Sequence, residues 1–330
     1  MTLILTRSDI LAMLGHEETV AAVEQAHIDL ARGAAVLPTP PVMRLPGGAD
    51  GAFLAMAAAS APAGLATVKL LADLPGNRER GLPVQRSAIL AVSAADGRCA
   101  ALLDGAAVTR FRTAAASAVA TRALMRADAR VLGLVGTGPL ALAHARALRT
   151  VWPYERVVLW GRTPERAREL AGVIARELGV PAEAVSGPRE ATVAADVLCT
   201  LTPSREPVVR GAWFRPGLHV NAVGAPPRPD HREIDTEGMR RSVVVVDAYG
   251  TAVTKSGEVV IALAEGALGE DDVRRELGDV LTGACAGRTS DTDITLFDSV
   301  GLGLQDLAAA RLLIDRAGER GLGTRIDLAG

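Results

Sequence analysis

Three cations and one glycine turn carry most of the chemistry that can be read from this 330-residue chain. Lys69 sits in Ala66-Thr67-Val68-Lys69-Leu70-Leu71, an apolar run that asks to be buried, and a buried ammonium needs a partner or a task. Arg112 stands in Arg110-Phe111-Arg112-Thr113, just ahead of an alanine-rich helical stretch. At a helix start, beside unpaired amides and the positive end of the helix dipole, Arg112 would make an anion site and anchor a carboxylate. Arg44, beside Pro46-Gly47-Gly48, and Met56 are the conspicuous residues of two neighbouring extended segments. Each also has a plainer use: Lys69 as the guard of a sheet edge, Arg112 as the bridge to a nearby acid, Arg44 as a solvated hairpin residue and Met56 as core.

The glycine turn is Gly136-Thr137-Gly138-Pro139-Leu140-Ala141. It follows the apolar run 131–135 without a spacer and opens a helical, Ala/Leu-rich run, so the order is strand, turn, helix. In the spacing G-x-G-x-x-A, Gly136 permits the tight turn, Gly138 lets a pyrophosphate approach the backbone, and Ala141 keeps helix and strand close. The amides at the helix start then hold the phosphates. A second strand, 156–160, ends in Trp160-Gly161-Arg162-Thr163-Pro164. An acid there would bind the ribose hydroxyls of NAD and repel a 2′-phosphate; Arg162 and Thr163 instead offer a clamp for that phosphate, so NADPH is expected in preference to NADH.

These groups need elements to hold them. Residues 3–5 read as a strand, and one helix capped at Ser8 runs on to Gly33. Segments around 42–45, 52–58, 64–71, 88–92 and 99–103 read as strands of an antiparallel sheet, with Asp96-Gly97 as a hairpin turn. Beyond the glycine turn, strands at 195–200, 218–223 and 242–247 continue an α/β pattern. The loop Thr200-Leu201-Thr202-Pro203-Ser204 and the strand end at Val223-Gly224 fall on the edge where such sheets bind ligands. Ser299 is expected to cap a last helix, 303–317, with glycines at its start that let a flat nicotinamide lie against the backbone.

Composition narrows the class. With 36 basic and 38 acidic residues the chain has no field for nucleic acid or anionic lipid. Cys99, Cys199 and Cys285 are too scattered for a disulfide or zinc framework, and no histidine pair has metal-ligand spacing. No metal, nucleic-acid or membrane partner is expected. The chain opens without a basic-then-apolar leader, so a cytoplasmic protein is expected. His16, His27 and His219 read as ordinary surface or core histidines.

Arg44, Met56, Lys69, Phe111-Arg112-Thr113-Ala114-Ala115-Ala116-Ser117, Gly136-Thr137-Gly138, Thr202-Pro203-Ser204-Arg205-Glu206-Pro207-Val208 and Leu296-Phe297-Asp298-Ser299-Val300-Gly301 together resemble the ornithine cyclodeaminase and mu-crystallin family over nearly the whole chain. The resemblance implies a homodimer with a split α+β domain for substrate binding and dimerisation, 1–120 and 305–330, and an inserted Rossmann domain, 121–304. It implies that Arg44, Met56, Lys69 and Arg112 line the substrate site, with the three cations gripping a carboxylate. Thr113, Gly136, Thr137, Gly138, Pro139, Leu140, Arg162, Thr163, Thr200, Thr202, Val223, Gly224, Ser299, Val300 and Gly301 would bind the cofactor.

One position departs from part of the family. Where cyclodeaminases and alanine dehydrogenases resemble one another in an aspartate two residues after the strand-ending glycine, this chain has Pro226. Gly81-Leu82-Pro83 is likewise followed by Val84-Gln85-Arg86 in place of the family's Thr-His-Gln. The local text is closer to the mu-crystallin branch, which implies NADPH-dependent reduction of an α-imino acid, cyclic by preference. Alternatives are an ornithine or lysine cyclodeaminase with Asp230 reaching back as its base, an amino acid dehydrogenase, and a nucleotide-loaded carrier without turnover.

Overall fold

The computed structural model describes residues 1–45 and 51–328, and the chain divides into two compact units, residues 1–112 with 302–330 and residues 113–301. The first begins with β1 (Thr2–Leu5), α1 (Arg7–Met13), α2 (His16–Ala31), β2 (Ala35–Val36), β3 (Val42–Met43), β4 (Ala52–Ser60), β5 (Leu65–Asp73), β6 (Gln85–Ser93), β7 (Cys99–Asp104) and the start of α3 (Gly105–Leu124). The expected single N-terminal helix is two, because the chain turns extended at Leu14 and Gly15. Thr6, not Ser8, caps the first, exchanging hydrogen bonds with Asp9 in a capping box.

The second unit continues with β8 (Val131–Val135), α4 (Pro139–Val151), β9 (Arg156–Trp160), α5 (Pro164–Leu178), β10 (Ala182–Ala184), α6 (Pro188–Ala194), β11 (Val197–Thr200), β12 (His219–Ala222), α7 (Thr236–Arg240), β13 (Val243–Val246), α8 (Tyr249–Lys255), α9 (Gly257–Ala264), α10 (Leu277–Thr282) and β14 (Thr295–Asp298). The chain then returns to the first unit with α11 (Gly303–Arg320) and β15 (Thr324–Ile326).

In the first unit the sheet order is β15-β1-β7-β6-β5-β4-β2, with β3 also on β4. Strand alternation gives its two faces opposite fates. Met56, Lys69, Ile89 and Leu103 are cross-strand neighbours in one row, and all four are buried. Helix α11 packs over β4 and β5. Gly303 is glycine for a reason of space: a Cβ there would stand 2.8 Å from the carbonyl oxygen of Ala57. On the other face Leu70, Leu90 and Leu102 are 48%, 36% and 40% exposed, an apolar stripe across β5, β6 and β7.

The second unit is a seven-stranded, wholly parallel sheet in the order β10-β9-β8-β11-β12-β14-β13. Order reverses at β8, as in a Rossmann fold, and its core of Val135, Val158, Val220, Val244, Val246 and Leu296 is the near-continuous apolar text that buried parallel strands require.

Helix α3 starts eight residues earlier than its text suggests. The Asp104 carboxylate accepts the amide of Ala107 at 2.8 Å, and the Ala-Ala-Val that follows continues the helix through Arg110 and Arg112. Arg112 therefore lies inside a helix, not at the positive end of one. Ser299 does not cap α11 either; Leu302 holds the cap position, and the Ser299 hydroxyl donates to Asp247.

Candidate functional site

Within the first unit, Lys69 on β5 and Arg112 on α3 meet at one carboxylate. Asp306, in the first turn of α11, receives the Lys69 ammonium at 2.7 Å and Arg112 Nε at 3.2 Å. All three are buried, Lys69 to 1% exposure and Arg112 to 4%. Arg112 thus does bridge an acid, but it shares that acid with a second cation, and two positive groups against one negative leave the cluster one charge positive. A polar chain supports it. Arg112 Nη1 donates to Gln305 at 3.0 Å, and the Gln305 amide lies 3.2 Å from His27 Nε2 on α2. The amide donates, so His27 accepts and is neutral, in line with burial pulling its imidazolium down to about 4. Lys69 also donates to Thr109 at 3.4 Å. Burial draws its ammonium down to about 8, with Asp306 holding it up and Arg112 pressing it further down.

Met56 lies directly opposite Lys69 in the sheet. Arg44 is exposed just past β3, and no hydrogen bond or ion pair among the described residues ties it to Lys69, Arg112 or Asp306. The turn Pro46-Gly47-Gly48 beside it lies outside the described residues.

In the second unit the glycine turn joins β8 to α4 at the reversal point of the sheet. Gly136 has φ +123°, and a Cβ there would be 2.7 Å from the carbonyl of Leu201. Gly138 is the N-cap residue of α4 with Pro139 following, and a Cβ on Gly138 would meet nothing within 4 Å. It opens into free space in front of the helix start, where a phosphate is favoured. The end of β9 abuts the same turn: the Gly136 amide donates to Trp160, and a Cβ on Gly161 would collide with Thr137. Arg162 and Thr163, both exposed, follow at once. These residues fit a dinucleotide.

The loops after β11 and β12 are held by an acid no motif suggested. Glu233, fully buried, accepts from the Thr202 amide and hydroxyl at 2.6 and 2.7 Å, the Thr200 hydroxyl at 2.9 Å and the Gly224 amide at 2.7 Å. Thr200 and Thr202 therefore spend their donors on the protein. Burial and the neighbouring Glu258 push the Glu233 carboxyl up to about 7. Val223, Pro226, Ser299 and Val300 border a small cavity at the ends of β12 and β14, together with Ser256, Glu258 and Asp298. Asp230 does not reach back to it. Its side chain is 53% exposed and engages Arg205 at 3.1 Å and His231 at 3.0 Å.

The sequence profile of the ornithine cyclodeaminase/mu-crystallin family matches residues 1–321. Among solved structures, the chain is similar to the Delta(1)-pyrroline-2-carboxylate reductase of Thermococcus litoralis in complex with NADH and L-proline, with 34% identity and a TM-score of 0.93 over 98% of this chain and 100% of that one. An archaeal alanine dehydrogenase dimer with bound NAD is 32% identical with a TM-score of 0.93, covering 99% of both chains. The ketimine reductase mu-crystallin of Mus musculus is 36% identical over 260 residues, 79% of either chain.

Asp306 is the one anion among the described residues that pairs with both buried cations, so its loss should be felt as a stability defect. Asp306→Asn is expected to lower the free energy of unfolding in urea by about 3–5 kcal/mol. Adding Lys69→Met should restore part of it, since one of the uncompensated charges is then gone. An Asp306→Asn protein as stable as the parent would mean that the ion pairs do not hold this cluster.

Proposed function

The chain belongs to the ornithine cyclodeaminase/mu-crystallin family, and on that premise we propose that it reduces α-imino acids to amino acids with NADPH or NADH, cyclic substrates such as pyrroline- or piperideine-2-carboxylate being preferred. The observation that carries this reading is the Lys69–Asp306–Arg112 cluster, which one substrate carboxylate would bring to neutrality. Similar proteins named as a pyrroline-2-carboxylate reductase and a ketimine reductase support it. A cyclodeaminase would need a carboxylate beside the reacting nitrogen; Pro226 stands at that place, and Asp230 is engaged with Arg205 and His231.

The residues divide the work by charge. Asp306 and Gln305 hold Arg112 by Nε and Nη1, which fixes the guanidinium plane and leaves Nη2 as the edge for the substrate carboxylate. Arg44 joins only if its exposed segment moves with substrate. Reduction of an imine adds a hydride to carbon and a proton to nitrogen; a bound reduced nicotinamide would supply the hydride. Lys69 is the proton donor. Its ammonium, drawn down to about 8, gives up a proton near neutrality. Passing that proton to the imine nitrogen leaves the total charge of the cluster and substrate unchanged, so the iminium forms beside Arg112 without adding a positive charge to the interior.

The unit of residues 113–301 binds the nucleotide, with Gly136, Thr137, Gly138, Pro139 and Leu140 at the pyrophosphate and Arg162 and Thr163 at a 2′-phosphate. Thr113, Val223, Gly224, Ser299, Val300 and Gly301 serve the nicotinamide end, and Thr200 and Thr202 act through Glu233. The other unit binds the acid and forms a homodimer through the exposed stripe Leu70, Leu90 and Leu102, as befits a chain similar to an alanine dehydrogenase solved as a dimer. Free cysteines, and the absence among the described residues of any helix long and apolar enough to cross a membrane, support a cytoplasmic location.

Five outcomes test the reading. Purified protein should oxidise NADPH with cyclic imino acids, with kcat/KM falling as pH rises through about 8 because Lys69 must be protonated to donate. Lys69→Met should lower kcat by about 100-fold or more without changing NADPH affinity. Ornithine turnover to proline without imine reduction would reject it. Arg162→Ser should weaken NADPH binding by about 10- to 100-fold, the worth of a charge-assisted hydrogen bond, and leave NADH binding unaltered. The pair Leu70→Glu and Leu90→Lys should sediment as a single chain where the parent sediments as two.

A further inference from the structure

The carboxyl groups around the cavity at the ends of β12 and β14 are not equally provided for. Asp247 accepts from the amides of Gly301 at 2.7 Å and Ala248 at 2.9 Å, with the Ser299 hydroxyl at 3.4 Å. Glu258 accepts the amide of Glu233 at 2.8 Å. Asp298 has no such supply: the Ser256 hydroxyl bonds its carboxyl, but Oδ2 is buried without any hydrogen-bond partner. Amide donors favour the ionised form of the groups they serve, so of Asp247, Glu258 and Asp298 the last is the one placed to hold a proton. Burial and the charges of Glu258 and Asp247 act the same way, raising its carboxyl well above the usual carboxylate range.

A neutral carboxylic acid presents an O–H donor and a carbonyl acceptor side by side. Its complement is a primary carboxamide, which offers an N–H and a C=O at the same spacing. Ala222, Val223, Pro226 and Val300 form the apolar side of the cavity and suit a flat ring bearing that amide, with Ser256, Glu258 and Ser299 completing the wall around Asp298. Resting on the nucleotide reading above, we propose that Asp298 is the residue that receives the carboxamide of the nicotinamide ring, through a paired hydrogen bond, and so sets the orientation of the ring. It holds no reacting atom and takes no part in proton or hydride transfer.

The test is equilibrium binding, followed by calorimetry on the full-length protein, of NADH, of ADP-ribose, which lacks the ring, and of the 3-acetylpyridine analogue, which lacks the amide N–H. Asp298→Ala should weaken NADH about tenfold, as two neutral hydrogen bonds would, and leave ADP-ribose unchanged. Asp298→Asn keeps a donor and an acceptor in place and should hold NADH within about threefold of the parent. The acetylpyridine analogue should bind the parent more weakly than NADH and lose little further in Asp298→Ala. Equal losses for NADH and ADP-ribose, or no loss for either, would overturn the assignment. Failure of the parent protein to bind either ligand would instead overturn the nucleotide reading on which it rests.

Discussion

One buried carboxylate decides how the first unit of this protein can be built. Asp306 is the sole acid holding both Lys69 and Arg112 among the described residues, and each cation would be costly inside a protein without it. The need to bring a strand lysine, a mid-helix arginine and a first-turn aspartate to one point explains much of the surroundings. Gly303 lets α11 lie close enough on β4, Gln305 and His27 lock the guanidinium from behind, and the row Met56, Lys69, Ile89, Leu103 keeps water away from the ammonium. With two cations to one acid, the cluster is left one negative charge short.

The nucleotide half meets a different constraint. A parallel sheet gathers strand ends at one edge, and the loops there must be shaped without satisfying every polar group by backbone pairing. The solution is a set of buried acids. Glu233 collects four donors from the ends of β11 and β12 and the loops after them, and Asp247 collects the amides of Ala248, ahead of α8, and of Gly301, ahead of α11. Placing Glu258 and Asp298 among them keeps at least one proton in the group and lines the cavity at the ends of β12 and β14 with acids on one side and Val223, Pro226 and Val300 on the other.

What could be read from the text follows the range of the interactions. The glycine turn was legible because its spacing, strand and helix are contiguous, and Lys69 stood out because a charge in an apolar run violates a local rule. The same rule applied to Leu304-Gln305-Asp306-Leu307 would have found Asp306, whose residues are all buried on α11. Arg112 was assigned to a helix start because Arg-Phe-Arg-Thr looks extended, whereas the cap is Asp104, eight residues back. The threonines at 200 and 202 looked like ligand donors only because Glu233, 31 and 33 residues on, gives no local sign that it will take their hydrogens. Loop length alone suggests Asp230 as a base, whereas its carboxylate is paired with Arg205 at 3.1 Å.

The bond between Arg112 and Asp306 joins residues 194 apart in the chain, with the whole of the 113–301 unit between them. On a ribosome the parallel sheet has all its strands once Asp298 has emerged, while the acid that makes the two cations tolerable arrives only afterwards, with α11. Nascent chains therefore complete the parallel sheet first, and the first unit closes around its two cations only once α11 follows.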